Sequence, residues 1–348
     1  MGLTLRTAGR WFLSASALRT FSVAGVVANV VIVLTGGAVR LTASGLGCPT
    51  WPRCTSGSLV RTAATGGHGL IEFTNRTLTF ALALVALGTV LAAMGQHRER
   101  RLALLALAGI PAQAVLGGIS VLTHLNPWIV GAHLLLSMAI LAVTVRLAWR
   151  VYTGRRPASR APAGAAAILL SRLLVALTAA VLLLGTVVTG AGPHAGAADT
   201  DGRVHRNGLS PAAVSQLHAD AVLLLIGLSV GMVLLLIATG ADRRRRNAAQ
   251  WLLGVELGQA VIGYVQYFTH VPAQLVELHL FGACLVWVAA LVLLAQLTWS
   301  ENLRDGVDHE ADERTDQRAV HPDELQVAPD LDLQPAAGLR GVPTRNRG

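Results

Sequence analysis

The sequence predicts an all-α integral membrane protein whose eight transmembrane helices form two pseudo-symmetric four-helix bundles. Three observations support this fold class: the composition, eight long apolar runs, and an internal repeat. Hydrophobic residues make up 53% of the 348 residues and charged residues only 14%, against roughly 25% charged in an average soluble protein. So few charges cannot coat a water-facing surface of this size, which excludes a soluble enzyme.

The net charge of +9 is unevenly distributed along the chain. Of the 19 acidic residues, 11 lie in the last 48 residues, which leaves 8 acids and 22 arginines in the first 300. Arginine concentrated beside apolar runs is typical of cytoplasmic loops, so the charge requires no nucleic acid as a partner. The segment 299–348 is acidic and has no apolar periodicity, and we expect it to be a disordered cytoplasmic tail.

Eight runs are long enough to cross a hydrocarbon core of roughly 30 Å, which takes about 20 helical residues. They lie at 21–39, 72–94, 102–121, 128–148, 168–190, 212–239, 249–268 and 274–298. Helices are predicted because a membrane barrel would show alternating segments of about ten residues.

The arginines between the runs predict the orientation. The N-terminal segment 1–20, the linker 151–167 and the second and sixth loops are arginine-rich, whereas the third and seventh loops carry none. By the positive-inside rule both termini are cytoplasmic, in the plasma membrane. The run Arg243 to Arg246 also fits a nucleic-acid patch, but its place between two spans favours an orientation anchor.

An offset of 146 residues aligns the chain with itself without a gap. The matching segments are Gln113-Ala-Val-Leu-Gly with Gln259-Ala-Val-Ile-Gly, Thr123-His124 with Thr269-His270, and His133 with His279. Three matches at one offset indicate a duplication. We therefore expect an N-terminal bundle over 21–150 and a C-terminal bundle over 168–298, related as a parallel repeat.

Three histidines, His133, His218 and His279, lie inside apolar runs. Each is five or six residues from the outer end of its run, and at about 1.5 Å per residue this places all three roughly 7 to 9 Å below the outer surface. Ordinary buried histidines are the alternative, but polar groups in membrane spans tend to mark function. Zinc usually has a closed set of Cys, His or carboxylate ligands within short segments, whereas these histidines lie on different runs with no thiol near them, and paired imidazoles on facing helices suit haem iron.

The start of the second apolar run and the residues just before it carry His68, Glu72 and Asn75, which helical spacing of four and three puts on one face. Glu72 is the only acidic residue in the spans of the N-terminal half. It is predicted to manage protons near a cofactor, or else to be an acid favoured by a helix N-terminus. Three arginines near outer span ends are candidate partners of haem propionates, or interfacial anchors: Arg40, Arg76 and Arg206.

Cys48 and Cys54 lie close together in the first outer loop. Because the outer side of a bacterial-type membrane is oxidising, a disulfide is favoured over two free thiols. Cys284 lies within the last apolar run and is expected to serve packing.

Several stretches resemble the haem A synthase family. They are Val39 to Cys54 (VRLTASGLGCPTWPRC), Ile71-Glu72-Phe73, Asn75-Arg76, Leu125-Asn126-Pro127-Trp128, His133-Leu134-Leu135, Thr189 to Gly196 (TGAGPHAG) and Gln216-Leu217-His218. The motifs occur in the family's order, and the resemblance covers about residues 21–298.

The resemblance implies an enzyme that oxidises the C8 methyl of haem O to the formyl group of haem A, for cytochrome oxidase, by successive hydroxylations with water-derived oxygen. It implies haem b on His218 and His279, the haem O substrate on His133, and a required glutamate at Glu72. A disulfide between Cys48 and Cys54 is also implied.

The chain departs from the family at Asn75, where many members have a histidine. Either His133 is then the sole protein ligand of the substrate haem, or His68, one turn before Glu72, approaches the iron.

The sequence has no nicotinamide or flavin motif, so electrons are expected to pass through the haem to a quinone or another membrane partner. The enzyme that produces haem O is a further expected partner, beside membrane lipid. Two other functions stay open. A di-haem electron carrier would keep two complete histidine pairs, and a repeat-built transporter would place polar groups near the membrane midplane.

Overall fold

The computed structural model describes residues 14–153, 163–197 and 205–298. This part of the chain is all-helical, with eight long helices and a single 3-10 turn at Ala63–Thr65. The helices are α1 (Ala15–Leu41), α2 (Gly66–Ala92), α3 (His97–Leu122), α4 (Pro127–Thr153), α5 (Ala165–Ala191), α6 (Pro211–Ala238), α7 (Arg243–Phe268) and α8 (Ala273–Thr298).

Seven of these eight helices are long and apolar enough to cross a membrane. The exception is α7, which begins with four arginines and carries Glu256 and several glutamines along its length. The prediction of an all-helical protein with several apolar helices of membrane-spanning length is therefore confirmed, whereas the eighth span stays a prediction.

Each helix begins before its predicted apolar run, while α2 and α6 end slightly earlier than predicted, at Ala92 and Ala238. Helix α1 begins at Ala15 rather than at residue 21, because Ser14 caps it by accepting a hydrogen bond from the Ala17 N–H at 3.2 Å. Helix α7 begins at Arg243 rather than at residue 249, because the Asp242 carboxylate accepts hydrogen bonds from two N–H groups of the first turn. Hydropathy marks only the apolar part of a helix, so caps of this kind extend it at polar residues.

Several predictions fall on parts of the chain that the structure does not describe. The expected tail at 299–348 lies outside the described residues, as do residues 1–13 of the N-terminal segment and 154–162 of the linker.

The helices pack mainly on their neighbours in the chain. Helices α1 and α3 both contact α2 and α4, while α5 and α7 both contact α6 and α8. Contacts of α8 with α1 and α4, and of α4 with α5, join the two sets. At this junction the buried Trp287 indole of α8 donates to the Met138 carbonyl of α4 at 2.9 Å.

The links α3–α4 and α7–α8 have the same backbone conformation at the offset of 146 residues. His124 and Leu125 have φ values of 51° and 59°, and His270 and Val271 have 63° and 61°. Non-glycine residues rarely occupy this left-handed region. The repeated pair of such residues supports the duplication in these two segments.

Candidate functional site

His218 on α6 and His279 on α8 face each other, with ring centroids 6.4 Å apart and an interplanar angle of 63°. An ion bonded to one nitrogen of each ring at about 2.0 Å would hold the centroids roughly 6 Å apart. The pair predicted from the sequence is therefore spaced to hold one metal ion between its rings.

A two-histidine set fits haem iron better than a bare metal ion. Within the described ranges, no three His, Cys, Asp or Glu side chains converge into a metal-ion site. A closed zinc site needs more protein ligands than these two. Haem iron needs only axial ligands from the protein, since the porphyrin supplies the rest.

Each of the three membrane histidines packs over a glycine on a neighbouring helix. A Cβ added to Gly117 would lie 3.0 Å from Cε1 of His133. The corresponding distance is 3.4 Å from Gly185 to His218 and 3.2 Å from Gly263 to His279. The two shorter distances show that Gly117 and Gly263 make room for the His133 and His279 rings, whereas Gly185 would allow ordinary contact with the His218 ring.

Two glutamines of the repeat hold the histidine helices at equivalent points. Gln113 donates from Nε2 to the His133 carbonyl at 3.0 Å, and Gln259 donates to the His279 carbonyl at 2.5 Å. The sequence identified these glutamines as repeat markers without predicting their contacts. Their equal spacing from His133 and His279 was the signal that they belong to the sites.

His68 and Asn75 make contacts in different directions. The His68 Nδ1 atom is hydrogen-bonded to Ser44 Oγ at 2.9 Å, in the first outer loop. Asn75 accepts a hydrogen bond through Oδ1 from the Thr35 hydroxyl of α1 at 2.7 Å. The role of either residue in holding a substrate haem stays a prediction.

The buried Glu72 carboxylate ties α2 to the first outer loop. Its Oε2 atom accepts from the Cys48 N–H at 2.7 Å, and its Oε1 atom accepts from Arg76 at 2.5 and 3.1 Å. Helix α2 begins at Gly66, so Glu72 lies beyond the first turn and is not the helix-terminal acid considered as the alternative.

The three arginines considered as partners of haem propionates all donate hydrogen bonds to backbone carbonyls in or near the outer loops. Arg76 donates to the Cys48 and Thr50 carbonyls at 3.1 and 3.3 Å, beside its ion pair with Glu72. Arg40 donates to the Thr189 and His194 carbonyls at 2.9 and 2.7 Å. The third contact is from Arg206 to the Pro193 carbonyl at 2.6 Å. These contacts anchor loops, and the propionate role stays a prediction.

The expected disulfide between Cys48 and Cys54 is present, and both residues are fully buried. Between them, the Trp51 indole lies directly on Gly118 of α3, where any Cβ would overlap the ring. The disulfide loop is therefore fixed to α2 by Glu72 and to α3 by Trp51. The sequence predicted the disulfide but not the Trp51 contact. Cys284 is a buried free thiol, as expected for a packing residue.

The outer loops of the two halves are joined by hydrogen bonds. The Gly45 N–H donates to the Gly196 carbonyl at 2.7 Å, and the His194 ring donates from Nε2 to the Val271 carbonyl at 2.9 Å. The first outer loop, the segment after α5 and the α7–α8 link therefore lie at the same end of the helices.

Two acids on the C-terminal helices, the buried Glu256 and the half-buried Glu277, were not singled out from the sequence. Glu256 of α7 accepts a hydrogen bond from the Ser229 hydroxyl of α6 at 3.0 Å. Glu277 of α8 lies against Gly37 of α1, where a Cβ would be 2.6 Å from its Oε2 atom. An acid within a predicted apolar run was the signal that could have identified both.

Comparison with known proteins places the sequence in a family context. The family model described as COX15-CtaA, cytochrome oxidase assembly protein, matches residues 19–291. The protein named "Heme A synthase" from Listeria welshimeri is 31% identical over 140 residues, which cover 39% of this chain and 46% of the relative.

The same name belongs to relatives from Lysinibacillus sphaericus and Geobacillus thermodenitrificans. The first is 34% identical over 140 residues, covering 39% of this chain and 45% of that protein. The second is 30% identical over 142 residues, covering 39% and 44%. The chain spans less than half the length of the curated relatives it matches.

Proposed function

This chain belongs to the COX15-CtaA family of cytochrome oxidase assembly proteins, and we propose that it is a haem A synthase. In this proposal it oxidises the C8 methyl of haem O to the formyl group of haem A, with water as the oxygen source. The observation that carries the proposal is the facing pair His218 and His279, spaced for haem iron, together with His133 at the repeat-related position.

The proposed architecture has eight spans in two pseudo-symmetric four-helix bundles, over 21–150 and 168–298. The matching α3–α4 and α7–α8 links and the paired contacts of Gln113 and Gln259 support it. The arginine distribution supports a plasma-membrane protein with cytoplasmic termini and haem sites toward the outer face.

In the C-terminal half, His218 and His279 are proposed to hold haem b. Bound haem b supplies a one-electron acceptor that carries electrons away from the reacting methyl group. Gly263 leaves room for the His279 ring, and Gly185 lies against the His218 ring. A quinone or another membrane partner is the proposed final acceptor.

In the N-terminal half, His133 is proposed to bind the substrate haem from α4. Glu72 is proposed to accept protons released as the methyl group is oxidised, since proton and electron release must balance in this reaction. The disulfide loop, held by Glu72 and Trp51, covers this end of α2 and α3. The enzyme that makes haem O is the proposed source of the substrate.

Replacing Glu72 tests its proposed role directly. Glu72→Ala is expected to abolish haem A formation while leaving the haem b spectrum intact, measured by haem extraction and by the visible spectrum. Haem A formation by this variant would contradict a proton-handling role.

Glu72→Gln separates proton handling from loop anchoring. The amide oxygen still accepts a hydrogen bond from the Cys48 N–H but carries no charge. Proton handling predicts that this variant is also inactive, with the disulfide loop in place. Full activity of Glu72→Gln would show that the residue only anchors the loop.

A further inference from the structure

The Glu256 carboxyl is buried near the middle of α7 and only partly hydrogen-bonded. Glu256 is 2% exposed, and Ser229, to which it is hydrogen-bonded, is completely buried. The Ser229 hydroxyl donates to Oε1 at 3.0 Å, while Oε2 is buried with no hydrogen-bond partner in the described structure.

The surroundings of this pair are apolar. Leu225 and Met232 on α6 and Leu252 on α7, each within one turn of the pair, belong to the buried core of the C-terminal helices. An ionised carboxylate with a single hydroxyl partner is costly in such surroundings. The carboxylate is then stable only while a compensating positive charge lies nearby, and a proton on Oε2 replaces that compensation when the positive charge is lost.

The carboxyl lies about two helical turns from the histidine pair: Glu256 is seven residues along α7, roughly 10 Å at 1.5 Å per residue, from Gly263, which packs against the His279 ring. Glu256 is one helical turn from Gln259, whose side chain donates to the His279 carbonyl at 2.5 Å. Residues three apart lie on the same face of a helix. Glu256 is therefore placed to respond to a charge that enters between His218 and His279.

The internal repeat indicates that helix packing does not require an acid at the position of Glu256. At the offset of 146 residues Gln259 corresponds to Gln113, and the contact with the histidine carbonyl is kept. Glu256 corresponds to Ile110, a buried aliphatic residue. The same helix position thus packs without an acid in the N-terminal half. The acid occurs only in the half with the facing histidine pair.

We propose that Glu256 is a redox-linked proton site of the C-terminal half. For each electron that enters between His218 and His279, one proton from water binds Oε2, and it is released when the electron leaves. The interior then gains no net charge. Ser229 orients the carboxyl through Oε1. This inference rests on the proposed haem b, and the electrons are those released by the proposed methyl oxidation.

Other titratable groups lie on the two helices packed against α7. They are His218 and Asp220 on α6, and Glu277, His279 and Cys284 on α8. Asp220 is exposed and accepts a hydrogen bond from Gln216 at 2.7 Å, so it offers a control carboxylate on the same bundle.

The test is redox titration of the haem in the purified full-length protein at several pH values. Wild type is expected to lose about 59 mV of midpoint potential for each tenfold fall in proton concentration, the value for a one-electron couple that binds one proton. Glu256→Gln is expected to lose this dependence, whereas Asp220→Asn keeps it. A Glu256→Gln protein with the wild-type pH dependence would overturn the proposal.

Infrared difference spectra of the reduced and oxidised protein give a second readout. Reduction is expected to produce a protonated-carboxyl C=O band that shifts in D2O, disappears in Glu256→Gln and moves in Ser229→Ala. If Glu256→Gln fails to fold, the wild-type and Ser229→Ala spectra decide. Absence of the band in wild type, or a band that Ser229→Ala leaves in place, would overturn the proposal.

The outcome is separable from that of the proposed function. Both readouts need a bound haem but no turnover, so protein that shows proton uptake without converting haem O contradicts only the synthase proposal. Purified protein that binds no haem would overturn both.

Discussion

Two consecutive glycines on α3, Gly117 and Gly118, each lie against a different aromatic ring. Gly117 makes room for the His133 ring, and Gly118 makes room for Trp51 of the disulfide loop. Neighbouring residues of a helix point about 100° apart, so one short segment of backbone contacts a candidate iron ligand and the covering loop. Each contact leads to a substitution experiment, because a single methyl group would displace the ring.

Gly118→Ala is expected to expose the disulfide. The added Cβ would overlap the Trp51 indole and lift the loop from α3, so reduction of the Cys48–Cys54 bond by dithiothreitol should become about tenfold faster, as for a stability loss of about 1.4 kcal/mol. Alkylation followed by mass spectrometry measures the rate. Gly57→Ala lies in the same loop, where a Cβ meets no atom within 4 Å, and should react as wild type. An unchanged rate in Gly118→Ala would contradict the seating of Trp51.

Gly263→Ala is expected to lower the haem b content of the purified protein. The new methyl would lie 3.2 Å from the His279 ring and push it away from His218. The control is Gly258→Ala on the same helix, where a Cβ has no neighbour within 4 Å. Haem per protein, measured by the pyridine haemochrome, should fall only in the first variant. Equal haem content in both would argue against His279 as a ligand.

At the scale of the helices, the presence of each helix could be predicted from its apolar run, but the residues at which the helices begin and end could not. Hydropathy located each of the eight helices, whereas the caps at Ser14 and Asp242 set where α1 and α7 begin. Such caps depend on local hydrogen bonds that hydropathy does not register. Helix α7 differs from the other seven helices in its low hydropathy. Glu256 and the glutamines lower this hydropathy, although Glu256 and Gln259 make hydrogen bonds with the neighbouring helices.

The cap of α7 can be tested by Asp242→Ala and Asp242→Asn. The carboxylate accepts from the Arg244 and Arg245 N–H groups at 2.9 and 3.2 Å. Loss of such a cap costs about 1 kcal/mol of folding free energy, and asparagine is as good a cap as aspartate. Thermal unfolding in detergent should show a clear loss for alanine and little for asparagine. Asp242 Oδ2 also lies 3.4 Å from Arg245 Nε, and equal losses would assign the effect to this ion pair instead.

At the scale of the whole molecule, contacts could be predicted from the sequence where residues share a depth along their helices or a constant offset along the chain. The common depth of His133, His218 and His279 and the 146-residue repeat predicted the facing pair. The loop cysteines predicted the disulfide. Contacts between distant segments, such as Trp51 on Gly118, carry no local pattern and needed the structure.

The arginines show the same limit. Their place in the loops predicted the orientation, but the sequence could not show that Arg40 bridges α1 to the segment after α5. Nor could it show that Arg76 holds the loop beside Glu72. Each is a tertiary contact fixed by how the outer loops fold back over the helices.

The central claim is most directly tested by haem extraction from a bacterial host that makes haem O but no haem A. After expression of the full chain, liquid chromatography with mass spectrometry is predicted to find haem A and its hydroxylated precursor, with haem b retained on the purified protein. Haem b with unconverted haem O would contradict the synthase and indicate an electron carrier. Purified protein without any haem would contradict the haem sites altogether.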